Sequence, residues 1–303
     1  MKIDRKRLKE AARLALFRQT GLSPWLVTGL YLLLTGGSAL LLELMMGHPV
    51  DRLVQLLQQG VGPARALALT VSLLGEIGLF FNILLLIFRL VLDIGYASWG
   101  LRVSRGEHTG AQALLDGFGL VGRVLLLEFA VAVLSLCWYV VISFPIAGVL
   151  GAMAFLPGGR VLSFVIVAAG LVLLALCVMR YDMASFCLLD EPERGVFHAL
   201  RSSRRLMRGR VVEYGLLLLS FLGWYLLGVA FSWLVESAVI TALGGIGIIL
   251  AGDMQAVLAL SGHPATVVAA TVAGWVVSLW LQPYLAVTRA GYYDRLRGQN
   301  IRT

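Results

Sequence analysis

Few side chains in this sequence are placed where they could do chemistry, and Glu76 is the most informative of them. It falls near the middle of a long apolar run, where an ionised carboxylate costs about 2.5–3.5 kcal/mol on insertion scales. Such a group faces a bundle interior, is protonated, or both. Two readings stay open. One is a proton or cation site; the other is an interhelical hydrogen bond, with Ser72 one turn away and Gly75 and Gly78 allowing close approach. Asn82 further along the run, and Gln282 beside Pro283 on another, complete a candidate intramembrane polar site of Glu76, Asn82 and Gln282. Pro283 should kink its helix and free a backbone carbonyl. A second set gathers at run ends: Arg89 and Asp93, four apart and able to pair on one helix face, Arg180 and Asp182, and Arg289 with Asp294. These read either as snorkelling, mutually neutralising charges or as one shared polar pocket. His48, His108, His198 and His263 lie in four different loops with no neighbour at metal-ligand spacing. Neither a phosphate-cradling glycine loop nor a nucleophile elbow is present. The expectation is a protein that is not an enzyme and uses no metal or cofactor.

The elements that must position these residues are membrane helices. Of 303 residues, 59% are hydrophobic and only 14% charged, with a mean hydropathy of +0.87. Soluble domains run near half apolar and a quarter charged. Six runs are long enough to cross a hydrocarbon core, which takes about 20 helical residues: 25–46, 67–90, 121–144, 161–181, 212–235 and 267–288. The expected fold is an all-α polytopic membrane helix bundle with six transmembrane helices. Residues 1–20 form an N-terminal amphipathic basic helix, 21–290 the six-span domain and 291–303 a short tail. Tyr and Trp fall mostly toward run ends, as an interfacial belt would. The three cysteines lie in or beside apolar runs without ligand spacing, as small core residues.

Basic residues set the orientation. With the N-terminus inside, twenty-two Lys and Arg fall on the inner side and only Arg52, Arg65 and Arg160 outside. That asymmetry predicts cytoplasmic termini in a bacterial inner membrane. Two basic amphipathic helices follow from it. Lys6, Lys9 and Arg13 mark one, lying on the membrane surface through Leu8, Ala11, Ala12, Ala15 and Leu16. Arg201, Arg204, Arg205 and Arg208 mark the other, opposite Val196, Leu200, Ser203 and Met207. These seven basic residues are the candidate sites for lipid or a partner. The net charge of +8 is scattered between apolar runs, so anionic headgroups are the expected partner, with a membrane-protein partner as the other candidate and no nucleic acid. The run Ala238–Ala251 is too short to cross easily and is broken by Gly244, Gly245 and Gly247. It is expected as a re-entrant or surface-lying segment, the alternative being a seventh span that would turn four C-terminal arginines outward.

An internal echo links two halves of the chain. Ala97-Ser98-Trp99 recurs as Ala184-Ser185-Phe186, and Gly122-Arg123-Val124 as Gly209-Arg210-Val211, both at an offset of 87 residues. Glu128 and Glu213 do not align at that offset, so the matches read either as a repeated span–inner segment–span unit or as chance. A row of small residues, Thr266, Ala270, Gly274, Ser278, Gln282 and Ala286, recurs at every fourth position. It should wind round its helix as a packing surface.

Several of these stretches resemble a bacterial integral-membrane family known as a domain of unknown function, DUF975. They are Gly95-Tyr96-Ala97-Ser98-Trp99-Gly100-Leu101-Arg102, Leu114-Leu115-Asp116-Gly117-Phe118 and Ala199 to Gly209. Leu219 to Trp224, Pro283-Tyr284 and Tyr292-Tyr293 continue the likeness. It is distantly similar as well to the membrane domain of some glycerophosphodiester phosphodiesterases. The resemblance implies a six-helix inner-membrane protein and no agreed activity or catalytic residues. Two functional readings follow: a non-enzymatic accessory or scaffold protein in envelope upkeep, or a small-solute or ion transporter using Glu76 and the Gln282-Pro283 kink.

Overall fold

The computed structural model describes residues 4–19, 23–46, 53, 56–57, 59–153, 159–250 and 260–300. Within these, the side chains of 45–46, 70–77, 152–153, 159–161, 249–250 and 300 lie outside the description. No strand occurs among the described residues. The chain is all helix: α1 (Arg5–Phe17), α2 (Pro24–Leu32), α3 (Ser38–Met46), α4 (Pro63–Ser104), α5 (Val121–Met153), α6 (Gly159–Val178), α7 (Ala184–Asp190), α8 (Val196–Leu206), α9 (Val211–Leu219), α10 (Leu222–Ala242), α11 (Gly245–Leu250) and α12 (Pro264–Asn300). A 3-10 segment, Ala111–Leu120, joins α4 to α5. Six of the helical stretches are long and apolar enough to cross a membrane. Of the run 238–251, residues 238–242 end α10 and Gly245–Leu250 forms α11, and residues 251–259 lie outside the described residues.

Local chemistry sets the helix ends. Asp4 caps α1 by accepting from the backbone N–H of Lys6 at 3.0 Å. Pro24 and Pro63 open α2 and α4 at positions where the missing N–H costs nothing. Gly195 stands at φ +78°, a turn that only glycine takes freely, and launches α8. Between α2 and α3 a π-helical turn, Leu33–Gly37, lies against α12. A Cβ on Gly36 would come within 2.8 Å of the Trp275 indole.

The packed core sits at one end of the bundle. Its two clusters draw on α1, Val27 of α2, the second half of α4, the 3-10 segment, Leu127 of α5, α7, α8, α9 and α12 from Leu281 on. Away from that end the spans present apolar surface outward: α10 buries no residue, and Phe144 and Phe164 are 82% and 76% exposed. Exposed apolar area on this scale has a bilayer as its natural solvent. The basic residues that the positive-inside count assigns to one side are also gathered at the packed end. Arg105, Arg289 and Arg297 meet acids there, and α1 and α8 pack there.

Two elements differ from expectation. Residues 291–300, expected as part of a tail, continue α12 and carry Tyr292, Tyr293 and Leu296 into the core. Helix α1, expected flat on the membrane, buries Leu8, Ala12 and Leu16 against the bundle. Its apolar stripe packs where α12 carries Gly291, on which an added Cβ would lie 3.4 Å from the Leu8 side chain. Leu14 and Phe17 remain exposed on another side of α1.

The row of small residues on α12 does change neighbours along its length. Gly274 faces Ser232 of α10, while Ala286 lies against Gly100 of α4. Helix α12 runs on through Pro283.

Two hydrogen bonds tie the segments between spans to the helices before them. Asp116 and Ser203 stand 87 residues apart, but their partners do not correspond at that offset, where Ser98 matches Ser185 and Arg180 matches Asp93. Asp116 accepts from Ser98 at 2.7 Å, and Ser203 donates to the Arg180 carbonyl at 2.8 Å. Between α4 and the 3-10 segment the backbones nearly touch. A Cβ on Gly95 would sit 2.0 Å from the Leu114 carbonyl oxygen, and one on Gly117 2.1 Å from that of Val91.

Candidate functional site

Three polar assemblies occupy the packed end, each built by helices distant in sequence. The first is a cavity of about 300 Å³ inside the bundle. Helix α4 delivers Asp93, α5 Glu128, the turn before α7 Asp182, and α12 Gln282 and Arg289. Arg289 donates to Asp182 at 2.8 Å and to the Tyr214 hydroxyl at 3.1 Å, while that hydroxyl donates to Asp182. On the opposite wall Tyr31 donates to Asp93 and stacks on Tyr96, with 4.4 Å between ring centroids. The Tyr96 and Thr28 hydroxyls share a hydrogen bond of 2.9 Å. Three carboxyls thus line the space against one guanidinium, an arrangement that can hold a proton or a cation. Among the described residues no group of His, Cys, Asp and Glu is arranged to hold a metal.

The residues expected from sequence separate here. Asp93, Asp182, Arg289 and Gln282 come together around the cavity. Arg89 lies one turn before Asp93, close enough to act on its charge, but outside the lining. Arg180 belongs to a different site, its guanidinium 6.0 Å from the centroid of the Trp138 ring. Asn82 gives its amide to the Gly78 carbonyl of its own helix, at 2.9 Å, and does not reach the cavity. The Glu76 side chain lies outside the described residues. Glu128, Tyr31 and Tyr214 were not singled out by spacing: the glutamate fell off the 87-residue offset, and tyrosines near span ends read as belt residues.

The second assembly clamps three helix ends together. Asp190, its side chain only 7% exposed, accepts both terminal nitrogens of Arg105 at 2.9 and 3.0 Å. It also accepts from Arg297 and, at 2.9 Å, from the Tyr293 hydroxyl. Arg105 reaches on to Asp294 at 2.8 Å, and Arg297 to Glu191 at 2.8 Å. The ends of α4, α7 and α12 are joined through shared carboxylates. The Asp190 hydrogen bonds hold the Arg105 guanidinium above its already high ordinary pKa, so this charge is permanent.

The third assembly is a cleft of about 990 Å³ between α5 and α8. One wall is apolar: Leu126, Phe129 and Val133 of α5, all exposed. The other is basic, with Arg201, Arg204, Arg205 and Arg208 from α8 and the turn after it, joined by Arg180. Val196, Ala199, Leu200 and Ser203 bury the opposite face of α8, so the sequence periodicity itself aims the arginines outward. Among the described residues no acidic side chain lines the cleft. Lys6, Lys9 and Arg13, the candidate residues of α1, lie elsewhere. Lys6 and Arg13 are exposed. Lys9 reaches the Ser220 carbonyl at 3.4 Å and sits 4.2 Å from the Phe221 ring centroid. Partial burial, then the charge of Arg5, push its ammonium below the ordinary lysine pKa.

Residues 64–300 match the family model described as Protein of unknown function (DUF975). The chain is a DUF975 protein. Its motif residues divide among a joint between α4 and the 3-10 segment, the clamp and the cleft. Ser98, Arg102, Asp116, Gly95 and Gly117 join α4 to the 3-10 segment, and Arg102 reaches Asp116 at 2.7 Å. Tyr293 serves the clamp, and the stretch Ala199–Gly209 supplies the basic wall of the cleft. No curated protein and no solved structure matches the chain.

Proposed function

We propose that this DUF975 protein is a non-enzymatic accessory or scaffold protein that engages anionic lipid through the α5–α8 cleft. The positive-inside count supports a bacterial inner membrane, with the packed end and both termini in the cytoplasm. One observation carries the lipid reading: five guanidiniums without an acid among the cleft residues face three exposed apolar side chains. An amphiphile with a negative head satisfies both walls at once, whereas water satisfies only one. Each arginine near an anionic surface contributes about 1 kcal/mol. Replacing Arg201, Arg204, Arg205 and Arg208 together with Gln should then remove up to about 4 kcal/mol of preference. The measurement is the relative association of spin-labelled phosphatidylglycerol and phosphatidylcholine with the protein reconstituted in neutral vesicles. The unaltered protein is expected to favour phosphatidylglycerol and the quadruple variant to lose most of that selectivity. Equal selectivity in the two sinks the reading.

The transporter alternative draws its support from the cavity, where Gln282 meets Asp93, Glu128, Asp182 and Arg289. Asp182→Asn should then slow proton or alkali-cation flux into proteoliposomes several-fold. A flux no faster than that of protein-free vesicles removes this alternative.

A further inference from the structure

We infer that the cleft is built for a lipid whose headgroup carries two phosphate groups, a deepening that rests on the lipid reading above. The argument begins with which arginines of the packed end are neutralised. Arg102, Arg105, Arg194, Arg289 and Arg297 each have a carboxylate within about 3.1 Å. Arg180, Arg201, Arg204, Arg205 and Arg208 have none within 4 Å among the described residues, and all five line the cleft. Arg123 and Arg295 also lack an ion pair among the described residues and lie outside the cleft, but marking the inner side of a membrane does not require five further unpaired arginines to share one concave surface. The cleft carries a local excess of five positive charges. A phosphodiester brings one negative charge.

Spacing separates one phosphate from two. Arg201, Arg204 and Arg205 fall at i, i+3 and i+4 on one side of α8, their Cα atoms spread over about 6 Å at 1.5 Å per residue, and Arg208 in the turn after Leu206 extends the row. A guanidinium grips phosphate oxygens at about 2.7–2.9 Å, usually as a two-pronged fork. One phosphate therefore takes one or two neighbours of the row and leaves the rest unpaired. Two phosphates on a short linker can take both ends. Two separate lipids could do so too, but each would lose its own freedom on binding. In a linked pair the second contact forms at high effective concentration, worth a factor of about 10²–10⁴.

The apolar wall accommodates the rest of such a molecule. Leu126, Phe129 and Val133 are 46%, 68% and 42% exposed, and Phe197 at 69% extends the surface from α8. Acyl chains leaving a head held by the row would run along α5. At about 990 Å³ the cleft lies at the upper end of the range for small-molecule sites, roughly 300–1,000 Å³.

The test uses the full-length protein in neutral nanodiscs, titrated with cardiolipin as the two-phosphate probe and with phosphatidylglycerol as its one-phosphate half. Bound lipid is counted by native mass spectrometry, with phosphate concentration matched. One cardiolipin should be retained at least tenfold more tightly than phosphatidylglycerol. Arg201→Gln with Arg208→Gln, which clears both ends of the row, should bring the two lipids to equal retention. Millimolar pyrophosphate should leave the lipid bound. Equal retention by the unaltered protein overturns the two-phosphate inference and leaves the lipid reading standing. Full displacement by pyrophosphate assigns the cleft to a soluble anion and overturns it as well. Retention of neither lipid removes the lipid reading and this inference together.

Discussion

Asp190→Ala is expected to cost about 3–5 kcal/mol of stability, the range found when one member of a buried charge pair is removed. The carboxylate is 93% covered and receives four hydrogen bonds, two from Arg105 and one each from Arg297 and Tyr293. Its loss leaves two guanidiniums at the junction of α4, α7 and α12 with one anion fewer between them. Asp294 and Glu191 already serve the outer edges of those guanidiniums and offer less help. The measurement is thermal or SDS-induced unfolding of the purified protein. Asp4→Ala, which removes an exposed helix cap, should cost only about 1 kcal/mol and serves as the reference. A double-mutant cycle with Arg105→Gln should show coupling, since the two groups act as one unit. A loss at Asp190 no larger than the loss at Asp4 would mean that the clamp closes nothing.

The clamp also shows what was legible in the sequence and what was not. Composition and run length place six spans, because an apolar stretch of that length has few other fates. Charge at run ends placed Asp93, Asp182 and Arg289 at one level of the bundle, and the structure joins them in one cavity. Arg180 has the same sequence credentials yet turns the other way, to Trp138 and the basic cleft. Depth along a helix is written in the spacing of charges; direction round it depends on which neighbour packs there. Glu128 was discounted because it fails to match at the 87-residue offset, although its own helix carries it to the cavity wall. The Asp190–Arg105–Arg297 network joins residues 85 to 107 positions apart, and no local pattern signals such a contact. The arginine face of α8 was legible as far as Arg205, because one amphipathic helix needs no partner to define its two sides, whereas Arg208 falls in the turn after it.

Gly95→Ala and Gly117→Ala are expected to destabilise the protein by about 3 kcal/mol each, against the usual sign for such a change. In an exposed helix interior, alanine is better than glycine by about 1 kcal/mol. Here the added methyl would lie 2.0 Å or 2.1 Å from a backbone carbonyl oxygen, of Leu114 or Val91 respectively. Backbone cannot rotate away as a side chain end can, so α4 and the 3-10 segment must part, an overpacking cost of about 1–3 kcal/mol or more. Gly122, which has no atom within 4 Å of its would-be Cβ, is the control: Gly122→Ala should be neutral or stabilising. Unfolding midpoints of the three variants decide the matter, and a shared sign across them would refute the close contact. The two glycines lie in two of the stretches that carry the DUF975 likeness, so those stretches are the facing halves of one joint. Asp93 stands between Val91 and Gly95 on α4, inside that joint. Opening it should also shift Asp93 from Tyr31 and loosen the cavity wall, so Gly95→Ala is expected to disturb the cavity without altering any residue that lines it.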